Sequence, residues 1–254
     1  MTPRISILAS VFIFLFTGIF GQDLQKKYQV IISNFIDCVK NDQKEKISDM
    51  ISYPFKREYP IPSIKNKQEF IERYNEIFDD TLKQMVIKSK PATDWSDVGW
   101  RGIMLYRGDI WIDFNGRLMG INYQSKAELS MREKLIRNEK EKIHASLSQF
   151  QYPLYVLETS KFRIRIDELG NNNIRYASWS INRAMTEKPD LILTKGEFVA
   201  EGSGGNHSYR FRNADYIYEC SIIVMGEDNA PPARLTIYKG DKEILSQKAI
   251  IIVK

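Results

Sequence analysis

The sequence predicts an α+β protein of two units: helices then strands in the first half, strands alone in the second. Three observations carry this. Apolar residues recur at three- and four-residue steps as far as Ile87. From Trp95 onward the step becomes two. A charged stretch with few apolar positions, 126–149, then separates two strand-rich regions. Steps of three and four put side chains on one face of a helix, and steps of two put them on one face of a strand. At about 150 residues per domain, the 254 residues leave room for one large or two modest domains. Hydrophobic residues at 43% and charged residues at 27% lie near globular averages. Disorder, collagen and a polytopic membrane protein are thereby excluded.

The first element is an address. After Arg4, the run Ile5–Phe20 carries no charge. A basic start and a short apolar core are the pattern of a secretory signal. The run is shorter than the roughly 20 residues of a spanning helix. Residues 1–21 are therefore read as a signal peptide cleaved after Gly21, and the mature chain as exported to a periplasm or the exterior. No stable membrane insertion is expected after its removal. In such a chain Cys38 and Cys220 are free to pair. They fall on apolar faces of different domains, so buried free thiols are expected and a bridge is the alternative.

The first domain is placed at 22–125. Leu24, Tyr28, Ile31, Ile32, Phe35 and Val39 form one helical stripe. Asp42 with Glu45 suggests a capping box for a second helix, where each residue satisfies an orphan amide of the first turn. YPFKREYPIP reads as an extended connection stiffened by proline. Asn66 with Glu69 opens a third helix carrying Phe70, Ile71, Tyr74, Ile77 and Phe78, and 79–87 supplies a shorter one. Trp95–Tyr123 reads as strands, with Val98, Trp100, Met104 and Tyr106 on one face. Asn115-Gly116 between alternating runs predicts a type I′ hairpin turn. Ser125 with Glu128 caps a charged helix within the connector 126–149, much of it expected in solvent.

The second domain, 150–254, alternates cleanly. Phe162, Ile164 and Ile166 oppose Arg163, Arg165 and Asp167, and Tyr218, Cys220 and Ile222 share another face. About eight such strands predict a sandwich or a small barrel.

The helical opening, YPF at 53–55, KNKQEFIERYNEIF at 65–78 and VGWRGIMLYRGDIWIDFNGRLMGINY at 98–123 together resemble the nuclear transport factor 2-like superfamily. The likeness covers roughly Asp23 to Ser125. It implies a cystatin-like cone, helices wrapped by a curved antiparallel sheet around a cavity. It also implies kinship with exported two-domain members of unknown function, although other members are isomerases or dehydratases. Tyr218–Cys220 gives the second half a faint similarity to exported lysozyme inhibitors, with Phe162 standing where a partner cysteine would be expected.

Chemistry-bearing residues are sparse. His144 and His207 are the only histidines, and no His or Cys pair has ligand spacing, so no metal and no cofactor is expected. No G-x-S-x-G occurs, and Ser203 in GSGG lacks a strand-to-helix setting. The net charge of +5 is interspersed with acidic residues, as in Lys40–Lys46, so nucleic acid is not an expected partner. Two clusters remain. Trp95, Trp100, Tyr106, Trp111, Asp113, Asn122 and Tyr123 are candidates to line a cavity in the first domain, with Asp113 and Tyr123 facing each other across the hairpin as base and polarising hydroxyl. Arg175, Tyr176, Trp179, Asn206, His207, Tyr209 and Arg210 are candidates for a partner-binding patch, because Arg, Tyr and Trp dominate interface hot spots. The expected function is a non-catalytic exported binding protein for a small ligand, an envelope component or a protein partner. The alternatives are a cavity enzyme using Asp113 and Tyr123, and an inhibitor of a cell-wall hydrolase acting through the β domain.

Overall fold

The structure, a computed structural model, describes residues 22–23, 25–202 and 204–253. The signal segment 1–21, Leu24 of the first stripe and Ser203 of the glycine-rich loop lie outside the described residues. The described chain is a mixed α+β structure with two separate sheets, one of five strands and one closed into an eight-stranded barrel.

After β1 (Gln22–Asp23), helix α1 (Lys26–Lys40) turns Ile32, Phe35, Cys38 and Val39 inward. Next come α2 (Lys44–Asp49), α3 (Lys67–Ile77) and α4 (Asp80–Lys88). The α3 start is as expected: Asn66 accepts from the Glu69 amide at 3.0 Å, and the Glu69 carboxylate accepts from the Lys65 amide at 2.9 Å. Asp42 does not cap α2. It sits one residue too early, at φ 48°, and its carboxylate pairs with Lys83 of α4 at 2.7 Å. The segment between α2 and α3 is not simply extended. It doubles back so that Phe55 and Ile64 exchange backbone hydrogen bonds.

The sheet is antiparallel, β1 then β2 (Trp95–Asp97), β3 (Ile103–Leu105), β4 (Ile110–Ile112) and β5 (Leu118–Ile121). The predicted continuous strand through Trp100 and Tyr106 is interrupted by a 3₁₀ turn at Gly99–Arg101. Gly102 explains the break. Its φ is 93°, and a Cβ there would lie 2.6 Å from the Ile112 carbonyl oxygen, so the chain turns where only glycine fits. The β4–β5 hairpin is present with a different turn. The Gly116 amide donates to the Asp113 carbonyl at 3.0 Å and only Gly116 has positive φ, the pattern of a type I turn closed by a left-handed glycine. Trp95, Ile103, Leu105, Ile110, Ile112, Leu118 and Ile121 pack inward on Phe35, Phe70, Tyr74 and Phe78, forming one continuous apolar core.

Helix α5 (Lys126–Glu141) crosses to the second half. Strands β6 (Tyr152–Thr159), β7 (Phe162–Glu168), β8 (Ile174–Ser180), β9 (Leu191–Glu201), β10 (Asn206–Asn213), β11 (Tyr216–Ile222), β12 (Ala233–Lys239) and β13 (Lys242–Val253) follow in an up-and-down meander. Pairing of β13 with β6, Ile250 opposite Glu158, closes the ring. Eight strands enclose a space just wide enough for side chains. Leu157, Ile164, Ile166, Tyr176, Phe211 and Cys220 fill it. Gly196 makes room for Phe211, since a Cβ there would lie 2.2 Å from the ring. Cys38 and Cys220 are both free, each buried in its own core.

The connector is less solvated than its composition suggests. Its charged outer face is exposed, but Ile136, Ile143, Leu147 and Phe150 pack on Ala177 and Trp179 of the barrel wall. Arg165 and Asp167, on the polar face of β7, and Arg175, a candidate for the partner-binding patch, are buried beneath it. Arg165 pairs with Asp167 at 2.7 Å and with Glu139 of α5, and Arg175 pairs with Asp167 at 2.6 Å. Buried charges persist when each is paired and hydrogen-bonded.

Candidate functional site

The seven first-domain candidates do not converge on one cavity; of them Asn122 alone lines the cleft described below. Trp95 is 1% exposed inside the core, its indole N–H donating to Ser89 Oγ at 2.9 Å. Trp100 is 64% exposed on the 3₁₀ turn, and Tyr106 is exposed in the turn after β3. Trp111 lies on the outer sheet face, paired across strands with Met104 and covered by the Arg101 guanidinium. Asp113 and Tyr123 stand at opposite ends of the β4–β5 hairpin. The Asp113 carboxylate accepts from the Asn115 and Arg117 amides, both at 2.8 Å, so it serves the turn. The Tyr123 hydroxyl bonds to the Asp79 carboxylate at 3.0 Å, and Asp79 in turn caps α4. The pairing of base and hydroxyl proposed from the sequence is not assembled.

The second-domain patch is divided by the in-and-out alternation of the strands. Arg175 and Trp179 face outward beneath the connector, with Arg175 donating to the Leu147 carbonyl at 2.7 Å and Trp179 to the Glu187 carbonyl at 2.9 Å. Tyr176 points into the middle of the barrel. Arg210 faces out toward Glu219, and Asn206 ties down the Val224 and Met225 amides at 2.8 Å. His207 and Tyr209 alone remain together, at one mouth of the barrel.

That mouth opens on a cleft of about 670 Å³ between the two halves. One wall is the doubled-back segment, with Lys56, Arg57, Glu58, Tyr59 and Ser63, together with Met119, Gly120, Ile121 and Asn122 of the β5 region. The other is Pro153, Leu154 and Tyr155 of β6, Tyr209 of β10, and Ile251 and Ile252 of β13. Met119 is 59% exposed and Ile252 46% exposed, so the rim presents apolar surface to solvent.

Both walls are anchored by buried ions. Arg57 Nε donates to Glu128 Oε1 at 2.7 Å, and its other nitrogens reach the carbonyls of Ile121 and Tyr123. One guanidinium therefore locks the segment, the end of β5 and the start of α5 together. Glu139 of α5 accepts from Tyr59 Oη at 3.0 Å and also from Arg165 of the barrel.

At the barrel side Tyr155, His207, Tyr209 and Phe198 make a ring cluster with centroids 5.2–5.9 Å apart. His207 Nδ1 lies 2.8 Å from the Gly205 carbonyl and Nε2 3.1 Å from the Tyr155 hydroxyl. A carbonyl only accepts, so Nδ1 carries a proton, and in the neutral ring Nε2 accepts from the phenol. Burial, with the Glu58 carboxylate across the cleft, pushes the Tyr155 phenol up to about 12. Burial likewise raises Tyr209, with Tyr155 and Glu168 adding to it. The site thus offers hydroxyl and amide groups, one lysine and one carboxylate over an aromatic floor. Among the described residues no group of three or more His, Cys, Asp and Glu is placed to hold a metal ion. Nor is any helix among them long and apolar enough to cross a membrane.

Tyr155, Tyr59, Met119 and Glu58 were not among the sequence candidates. The available signal was the polar KRE triplet between two Tyr-Pro pairs, where a mere connection has no need of three charges in a row. Comparison with protein-family models, with curated proteins and with solved structures returned no match to this chain.

Proposed function

We propose that this chain is an exported, non-catalytic binding protein that holds a small ligand in the cleft between its halves. The export segment supports the location, and the first half is read as a cystatin-like cone of the nuclear transport factor 2-like kind. The apolar side chains that β2–β5 turn onto the packed helices support that reading, with the cone's interior occupied by core. The observation that carries the functional reading is the 670 Å³ cleft, built from both halves and braced by the Arg57–Glu128 and Glu139–Arg165 pairs. A preformed concave site with an aromatic floor and a few placed polar groups is the usual form of a small-molecule site. Its mix of hydroxyls, amides and apolar rim suits a polar ligand with an apolar face, the class to which sugars and short envelope peptides belong. Asp113 and Tyr123 are both engaged in structural hydrogen bonds, which favours binding over cavity catalysis.

Gly120 supplies the test. It lines the cleft, has no left-handed backbone, and a Cβ there meets nothing within 4 Å. Gly120→Trp therefore fills the cleft without straining the strand. Native mass spectrometry of the protein from its own source is expected to show a co-purifying mass in the wild type and none in Gly120→Trp. A bound mass retained in the folded variant, or none in the wild type, refutes the reading.

A further inference from the structure

The barrel has a second mouth at the end away from the cleft. Register places it there. Phe162 pairs with Ser180 and Leu191 with Ser178 at one end of β7–β9, whereas Tyr152, paired with Glu168, marks the cleft end. Between the two mouths the lumen is closed by Phe211, Tyr176 and Cys220, all 2% exposed or less. The far mouth holds a pocket of about 190 Å³. Its walls are Phe162, Leu191, Tyr218, Leu235 and Ile237. At its base lie the buried Tyr176 and, two residues along the same face of β8, Ser178. Asp190 is the one ionisable carboxylate on the lining, and it is already held by the Ser180 amide at 2.9 Å and by Arg183.

We propose that this pocket binds a neutral, single-ring or fused two-ring aromatic molecule carrying one hydrogen-bonding group, such as a phenol or an indole. Three features select that class. Volume is the first: a dry apolar cavity of roughly 150 Å³ takes up benzene, and this one is slightly larger. The second is the wall, which has two aromatic rings for edge or offset contact and three aliphatic chains, a surface that rewards a flat apolar guest. The third is charge. The lining carboxylate is satisfied, so an ion entering the pocket loses its water without gaining a partner. The Tyr176–Ser178 hydroxyls are left to orient one donor or acceptor on the guest. This site is independent of the cleft.

Indole titrated into the whole protein and followed by proton NMR tests it. Binding is expected with a dissociation constant at or below about 1 mM, the affinity accessible to a ligand of this size. Nuclear Overhauser contacts are expected from the indole ring to the methyl groups of Leu191, Leu235 and Ile237. Leu191→Trp, which fills the mouth, is expected to weaken binding by about tenfold or more, while Gly120→Trp leaves it unchanged. Absence of contacts at those methyl groups overturns the proposal, as does unchanged affinity in a folded Leu191→Trp protein. Should that variant fail to fold, the wild-type contacts decide alone.

Discussion

Glu128 is a carboxylate with no exposed surface, and among the described residues its only cationic partner is Arg57. Removing one member of a buried pair leaves the other charge without compensation, at a cost of about 3–5 kcal/mol. Glu128→Ala is therefore expected to lower stability by that order, read as a fall in urea midpoint at unchanged slope. Tyrosine titration reports on burial in both halves. Tyr53 in the first and Tyr155 in the second are each pushed up to about 12, mainly by burial. A phenol whose folded pKa lies above its unfolded value of about 10 binds its proton more tightly when folded. Its contribution to stability is complete below pH ~10 and is lost between pH ~10 and ~12 as the unfolded chain ionises first. Absorbance at 295 nm should show these phenols un-ionised at pH 11 in the folded protein, and their late ionisation should coincide with unfolding. Early ionisation of all 13 tyrosines would contradict the burial described here.

At the scale of elements, Ser125 starts α5 by accepting from the Glu128 amide at 3.1 Å, while its hydroxyl donates to the Glu76 carbonyl. Ser125→Ala should cost about 1 kcal/mol or somewhat more, since the lost cap is buried. Gly196→Ala should destabilise the barrel by about 1–3 kcal/mol through overpacking against Phe211, whereas Gly120→Ala should be near neutral; thermal melts of the pair give the contrast. Caps such as Ser125–Glu128 and Asn66–Glu69 were legible because they depend on residues three apart. Strand alternation was legible for the same local reason, and it made the barrel one of two named outcomes. What the alternation did not reveal is what covers each face. Arg165 and Asp167 alternate like solvent-facing residues, yet α5 lies over them, and that depends on where a helix some thirty positions earlier comes to rest. The candidate patch failed similarly, because Arg175 and Tyr176 are neighbours in sequence but lie on opposite sides of a wall. Asp113 reads equally well as a base or as a turn residue until its two amide partners are seen.

At the scale of the molecule, Glu139 joins the halves, touching Tyr59 on one side and Arg165 on the other. Glu139→Ala should let the halves unfold separately, seen as two calorimetric transitions in place of one. It should also weaken capture of any cleft ligand, because Tyr59 forms part of that wall. Persistence of a single transition would place the coupling elsewhere, in the Trp179 packing beneath α5. The seam between Glu158 and Ile250 has a wider effect. A ring of strands with no free rim offers no row of unsatisfied amides and carbonyls for an incoming chain to zip onto. Whatever this half of the molecule recognises must be gripped by side chains, and a partner that binds as an added strand finds no edge on the barrel to lie against.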